Sequence, residues 1–207
     1  MCSRNRNKLR ELSALGWELE LLDADEYPEE GSESYVDNAR AKALYGRSVG
    51  PADAWMLGED SGLEVAALGG GPGVRSARYG AEGGEAIERL LRDLRDVDDR
   101  RARYVCELVL LGPGGEELRG TGILKGRIAR EARGSEGFGY DPVFLPGGEE
   151  RTVAELGNAW KAGNSHRARA AADLRGQTQG QTQGQTQGQS QGQTQGQTQG
   201  QSQGQTQ

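Results

Sequence analysis

The chain is poor in cysteine. Among 207 residues there are two, Cys2 and Cys106, in no disulfide or metal-ligand spacing. A disulfide framework and a thiolate metal site are therefore excluded, and a reducing cytoplasm is the expected setting. No apolar run has the length of a signal peptide or a membrane span, so no membrane partner is expected. Basic charge is also in deficit. The formal net charge is −6, which argues against a broad basic face for polymeric nucleic acid and leaves small anions that a few local cations could hold. From Gly176 to Gln207 the chain repeats GQTQ or GQSQ and has no charged, aromatic or aliphatic side chain. Such a segment cannot bury enough apolar surface to offset its conformational entropy, so 176–207 is expected to be a disordered tail. Residues 1–175 then form a single domain of ordinary size.

Within that domain the periodicities predict helices over Lys8–Leu15, over Tyr35–Arg47 with Ser34 as cap, and over Ile87–Leu94, with a last helix from about Ser165 to Arg175. Strands are expected at Trp17–Leu22 and at Trp55–Gly58. Two more, Tyr104–Leu111 and Glu117–Ala129, read as a hairpin across Pro113-Gly114-Gly115. The alternation of elements predicts an α/β fold with a mixed sheet.

Four clusters have residue types suited to chemistry. Glu59-Asp60-Ser61-Gly62 places two carboxylates beside a buried strand. That is costly unless something cationic compensates them, and on spacing alone a solvated turn rich in Asp, Ser and Gly is the favoured reading. Asp37 would add a second hard oxygen donor to Asp60 for Mg²⁺, which takes one or two carboxylates and fills its other positions with water and phosphate oxygens. Ser3-Arg4-Asn5-Arg6-Asn7-Lys8 sets small polar groups and three cations ahead of a helix, where free backbone N–H groups attract anions. It is no P-loop, since no Gly-Lys-Ser/Thr follows a glycine-rich turn. Gly137-Phe138-Gly139-Tyr140-Asp141-Pro142 offers glycines for close approach and two rings for stacking. Lys161, His166 and Arg167 are candidate phosphate or carbonyl contacts. Gly46-Arg47-Ser48-Val49-Gly50 fits the serine-hydrolase pattern, but its helix precedes the serine and its strand follows, the reverse of what that motif needs.

Taken in order, SRNRNKLRE, SYVDNARAKA, GEDSGLEVAALGGGPGVRSARY, RYVCELVLL, GFGYDPVFLP and AELGNAWKAGNSHRARA resemble the landmarks of the inosine/xanthosine triphosphate pyrophosphatase family over nearly all of residues 3–175. The resemblance implies an elongated mixed sheet with flanking helices and two lobes around a central nucleotide-binding cleft, usually in a homodimer. It also implies hydrolysis of ITP, dITP or XTP to the monophosphate and pyrophosphate. Asp60 matches the family's proton acceptor and metal ligand, and Asp37 falls where a metal-binding Glu is usual. Residues 3–8 match the triphosphate loop. Ser61, Phe138, Gly139, Tyr140, Asp141, Lys161, His166 and Arg167 match nucleotide contacts. Three positions depart from the pattern: Asp37 is one methylene short, Glu59 stands for Asp, and Ala162 stands for Asn. An apolar first strand would also precede the triphosphate loop, whereas here the loop follows Met1-Cys2 directly and is expected to lack its anchor. That missing strand motivates an alternative, a degenerate member that binds nucleotide without hydrolysing it. The related septum-formation-inhibitor-like pyrophosphatases fit less well, because the SHR and FGYD segments point away from them.

Overall fold

The computed structural model describes residues 1–3, 5–24, 26–28, 31, 34–80 and 85–177. Met1–Leu174 form one compact unit. The expected tail lies almost wholly outside the described residues.

Helix α1 spans Arg6–Ser13 and α2 spans Tyr35–Val49. Asn5 caps α1 by accepting from the Asn7 and Lys8 amides, and Ser34 caps α2 by accepting from Asp37. Strands β1 (Met56–Val65), β2 (Pro72–Gly73), β3 (Arg101–Leu111), β4 (Glu117–Ile128) and β5 (Phe144–Pro146) make one sheet in the order β2-β1-β3-β4-β5. Helix α3 (Glu85–Asp93) precedes β3. Helix α4 (Val153–Asn164) starts at a Thr152 capping box and kinks at Gly157, where φ is 85°. A last helix, α5, covers 166–177.

All the named strand pairings are antiparallel. Among the described residues the one parallel contact is a bridge between Cys2 and Gly58. It answers the expectation about the anchor: Cys2 donates to the Leu57 carbonyl at 2.9 Å, and both Met1 and Cys2 are buried. The 3–8 segment therefore leaves the sheet from a fixed point. Trp17–Leu22 forms no strand; Leu22 N–H donates to Met1 O, the Met1 ammonium donates to Glu20 O, and the Tyr27 hydroxyl donates to Leu22 O. Glu59 to Gly62 form no turn. They continue β1, with Glu59 and Asp60 only 1% and 2% exposed.

Strand alternation divides the sheet into two unlike faces. On one face α2 presses Ala39 and Ala43 onto Val109 and Leu111. Gly58 permits this approach, since a Cβ there would lie 1.9 Å from the Ala39 carbonyl oxygen. On the other face α5 lies across β4 at Gly122, where a Cβ would come within 1.9 Å of the His166 carbonyl oxygen. That second face holds two separate apolar cores. One gathers Leu12, Leu57, Cys106, Leu108, Leu118, Ala170 and Leu174. The other gathers Leu63, Leu90, Tyr104, Leu124, Phe144 and Val153. Along β1 the polar residues Glu59 and Ser61 fall between Leu57 and Leu63. The two lobes are these two cores, and the polar stripe between them is the floor of a cleft.

Candidate active site

A cavity of about 450 Å³ opens on that stripe. It is lined by Asn5, Lys8, Ser61, Phe138, Gly139, Tyr140, Asp141, His166 and Arg167, nine of the residues singled out from sequence, together with Tyr104 and an apolar wall that includes Leu63, Ala86 and Ile87. Its size suits a small ligand.

The polar end is an ion-pair network tied to Glu59. Lys8 Nζ lies 2.6 Å from Glu59 Oε2 and Arg167 Nε 3.0 Å from Oε1. Arg167 also reaches Ser61 Oγ at 2.7 Å and Glu11 Oε2 at 3.0 Å. Lys161 pairs with Glu11 and, at 2.6 Å, with Asp141. Burial alone would push the Glu59 carboxyl up, but Lys8, Arg167 and Lys42 outweigh it and hold the group well below the usual carboxylate range. A carboxylate that acidic is a poor base. Its task is to fix Lys8 and Arg167 without solvent, since a lone buried charge would be prohibitive.

The ring-bearing end is built by the 137–142 loop. Asp141 Oδ2 accepts from the Phe138 amide at 2.9 Å and Tyr104 donates to Oδ1 at 3.3 Å, while positive φ at Gly137 and Gly139 lets the loop close. Burial raises the Asp141 carboxyl against the pull of Lys161, which leaves it the weaker acid of the two. Phe138 is half-buried and accepts Lys161 Nζ over its ring at 4.6 Å. Tyr140 is buried and donates to the Ser76 carbonyl at 2.8 Å, so it braces the wall while Phe138 is the exposed ring. His166 stacks on Tyr104 with centroids 4.6 Å apart, and among the described residues no group bonds its buried Nδ1. Burial, reinforced by the neighbouring Arg167, keeps its imidazole neutral far below the ordinary histidine range.

Asp60 and Asp37 stand elsewhere. Asp60, one residue along β1, faces α2: its Oδ1 lies 3.2 Å from Lys42 Nζ and its Oδ2 accepts from Asn38 at 3.1 Å. Asp37 is exposed in the first turn of α2. Neither lines the cavity. Among the described residues no group of three or more His, Cys, Asp or Glu side chains is gathered for a metal. This donor set, one buried acid already compensated by a lysine, does not fit an ion caged by protein alone. It fits Mg²⁺ carried in by phosphate oxygens, which asks for only one or two carboxylates.

Topology links the two faces. The open edge of β1 is occupied by Cys2 at Gly58 and by β2 at Leu63 and Glu64, which leaves a gap at residues 59–62. The 3–8 segment enters from Cys2 at this gap, and Lys42 reaches it from the α2 side by donating to the Glu59 carbonyl at 3.0 Å. Asp60 and the cleft thus meet around one exposed strand edge. Of the remaining loop residues, Ser3 Oγ accepts from the Asn5 amide, Arg6 and Asn7 lie on the first turn of α1 outside the cavity lining, and Arg4 falls outside the described residues. Sequence reasoning missed Glu11, Lys42 and Tyr104. Glu11 and Lys42 read as ordinary charged positions on amphipathic helices. Glu11 falls three residues after Lys8 and Lys42 four after Asn38, each pair on one helix face, but neither spacing says which face meets the sheet.

A family model described as the Ham1 family matches residues 1–177. The chain is 42% identical over 178 residues to the dITP/XTP pyrophosphatase of Gloeobacter violaceus, covering 84% of this chain and 90% of that protein. It is 49% identical over 150 residues to that of Opitutus terrae, covering 70% and 74%. Among solved structures, the Staphylococcus aureus Ham1 protein superposes with a TM-score of 0.74 at 34% identity, covering 87% of this chain and 97% of that one. A nucleoside-triphosphatase, or dITP/XTP pyrophosphatase, from Mycobacterium abscessus gives 0.65 at 40% identity, covering 84% and 95%.

Proposed function

The chain belongs to the Ham1 family, and on that premise we propose a division of labour across its cleft. It is a nucleoside-triphosphate pyrophosphatase that hydrolyses noncanonical purine nucleoside triphosphates, ITP, dITP and XTP, to the monophosphate and pyrophosphate. The observation that supports the division is the single cavity that Lys8, Ser61 and Phe138 all line, with Arg167 joining them: it bonds Ser61 and sets its guanidinium 5.1 Å from the Phe138 ring centroid.

The triphosphate lies along Asn5, Lys8 and the β1 edge, where Lys8, Lys42 and Arg167 neutralise its charge. Phosphoryl chemistry asks mainly for positioning and charge stabilisation, which this cation set supplies. Water attacks the α-phosphorus, the bond to the bridging oxygen of the β-phosphate breaks, and pyrophosphate leaves. Asp60 orients the water from the α2 side and takes its proton. Lys42 and Asn38 hold the carboxylate in place for this role. Asp60, with Asp37 through water, would hold Mg²⁺, which would supply further charge neutralisation when bound.

The purine stacks on Phe138. N–H donors from the 138–141 backbone, Lys161, His166 and Arg167 match a 6-oxo acceptor and leave adenine's amino group unpaired, a mismatch that discriminates strongly in a buried site. A homodimer and a cytoplasmic setting are part of this proposal. No helix among the described residues is long and apolar enough to cross a membrane.

The test is pyrophosphate release by the full chain, with ITP against ATP and with or without Mg²⁺. Turnover confined to ITP and Mg²⁺ is expected. Nucleotide binding without turnover would support the degenerate alternative, and equal ATP turnover would end the specificity argument.

A further inference from the structure

A second cationic site lies at the end of α3, apart from the residues that line the cleft. A cavity of about 440 Å³ is lined by Arg92, Arg95, Arg100 and Arg130, with Glu88 as its one acid. A neighbouring cavity of about 380 Å³ shares Arg100 and Arg130. Four guanidinium groups around one small cavity are unexpected in a chain of net charge −6, because like charges repel unless an anion joins them.

The arrangement is partly rigid. Arg100 is half-buried and donates to the carbonyls of Leu94, Ile128 and Ala129 at 2.6 to 2.8 Å. It therefore covers a carbonyl at the end of α3 that would otherwise repel an anion. Burial lowers its pKa and the nearby Arg130 lowers it further, so the two charges lie within each other's field. Arg130 has only a 3.8 Å contact to the solvent-exposed Asp98. Among the described residues, no ion pair within 4.0 Å holds Arg92 or Arg95. The arginines in this neighbourhood that do have close acids are Arg101, paired with Asp99, and Arg127, paired with Glu150. These two lie outside the four-arginine cavity.

We propose that the groove of Arg92, Arg95, Arg100 and Arg130 binds an oligophosphate anion. Planar guanidinium forks match phosphate oxygens in pairs. The choice of probe rests on the proposed reaction: inorganic pyrophosphate is its product.

Isothermal titration of the full chain with pyrophosphate, in chelator-treated buffer without divalent metal, should resolve two sites. The double variant Arg92→Ser/Arg130→Ser should keep one site and unchanged ITP turnover, because neither residue belongs to the cleft. Lys8→Ala should keep the other. A single wild-type site that the double substitution leaves intact would overturn the proposal. So would groove-dependent binding of a poly-glutamate peptide with no pyrophosphate uptake, which would indicate an acidic protein segment. ITP turnover is measured separately, so failure of the assigned reaction cannot be mistaken for failure of the groove.

Discussion

Glu59 and Asp60 are neighbours in sequence and equally buried, yet they serve opposite faces of the sheet. On the cleft face, Glu59 is clamped between Lys8 and Arg167 at 2.6 and 3.0 Å. On the α2 face, Asp60 has Lys42 at 3.2 Å and an amide from Asn38. The first arrangement is a structural anchor whose acid is too strongly stabilised to accept a proton. The second pairs its acid with one lysine and one amide at the strand edge, where the proposed reaction needs its base. Similarity of residue type therefore says little here, and the strand's two-residue period decides the role.

The sharpest way to break this comparison is to exchange the losses. Glu59→Gln leaves two buried cations short of a partner and should cost about 3–5 kcal/mol of stability, read as a fall in the urea midpoint. Asp60→Asn keeps the shape and both neighbours. It should lower the midpoint less than Glu59→Gln does, since one buried cation, Lys42, rather than two loses its partner, while pyrophosphate release falls about 10²–10⁴-fold, the usual worth of a positioned general base. Retained turnover in Asp60→Asn, or a folded and active Glu59→Gln, would reverse the two assignments.

The next test addresses the helices that cover each face. Gly58→Ala drives a methyl into the α2 backbone and Gly122→Ala drives one into α5. Each should destabilise by about 1–3 kcal/mol as an overpacked contact. The functional signatures should differ. Gly58→Ala displaces Asn38 and Lys42 and should lower kcat, whereas Gly122→Ala shifts His166 and Arg167 and should raise KM for ITP.

Much of this was legible in the sequence. The cap at Ser34, the α3 stripe and the hairpin of β3 and β4 are local signals, written in residues that touch one another. Nine cleft residues were likewise legible, because ordered motifs carry them. What failed was non-local. Trp17–Leu22 alternates like a strand but bonds to Met1 and Tyr27 rather than along a paired strand, and a strand needs a ladder. Glu59 to Gly62 read as a turn because Asp, Ser and Gly favour turns, yet tertiary pairing with Val105–Leu108 holds them extended. The roles of Glu11 and Lys42 depend on which helix face meets the sheet edge, which no short spacing encodes.

The smallest expected effect separates the faces by acid. His166 has a folded pKa well below the 6.5 of a free histidine, and Glu59 one well below the 4.5 of a free carboxyl. In both cases the unfolded chain binds the proton that the folded one refuses. Their stabilising contributions are thus complete above those unfolded values and fade as pH falls through them. His166 acts from about pH 6.5 downward with a limiting slope of about 1.4 kcal/mol per pH unit. Glu59 adds its own loss below about pH 4.5, while Asp141, raised by burial, opposes it. Both acid-sensitive groups lie on the cleft face under α5. Hydrogen exchange followed from pH 7 to 5 should therefore show amides of 166–174 losing protection before those of α2, with His166→Asn abolishing the difference. Uniform loss over both helices would mean that the faces are energetically one unit, and the division drawn from Glu59 and Asp60 would then stop at the side chains themselves.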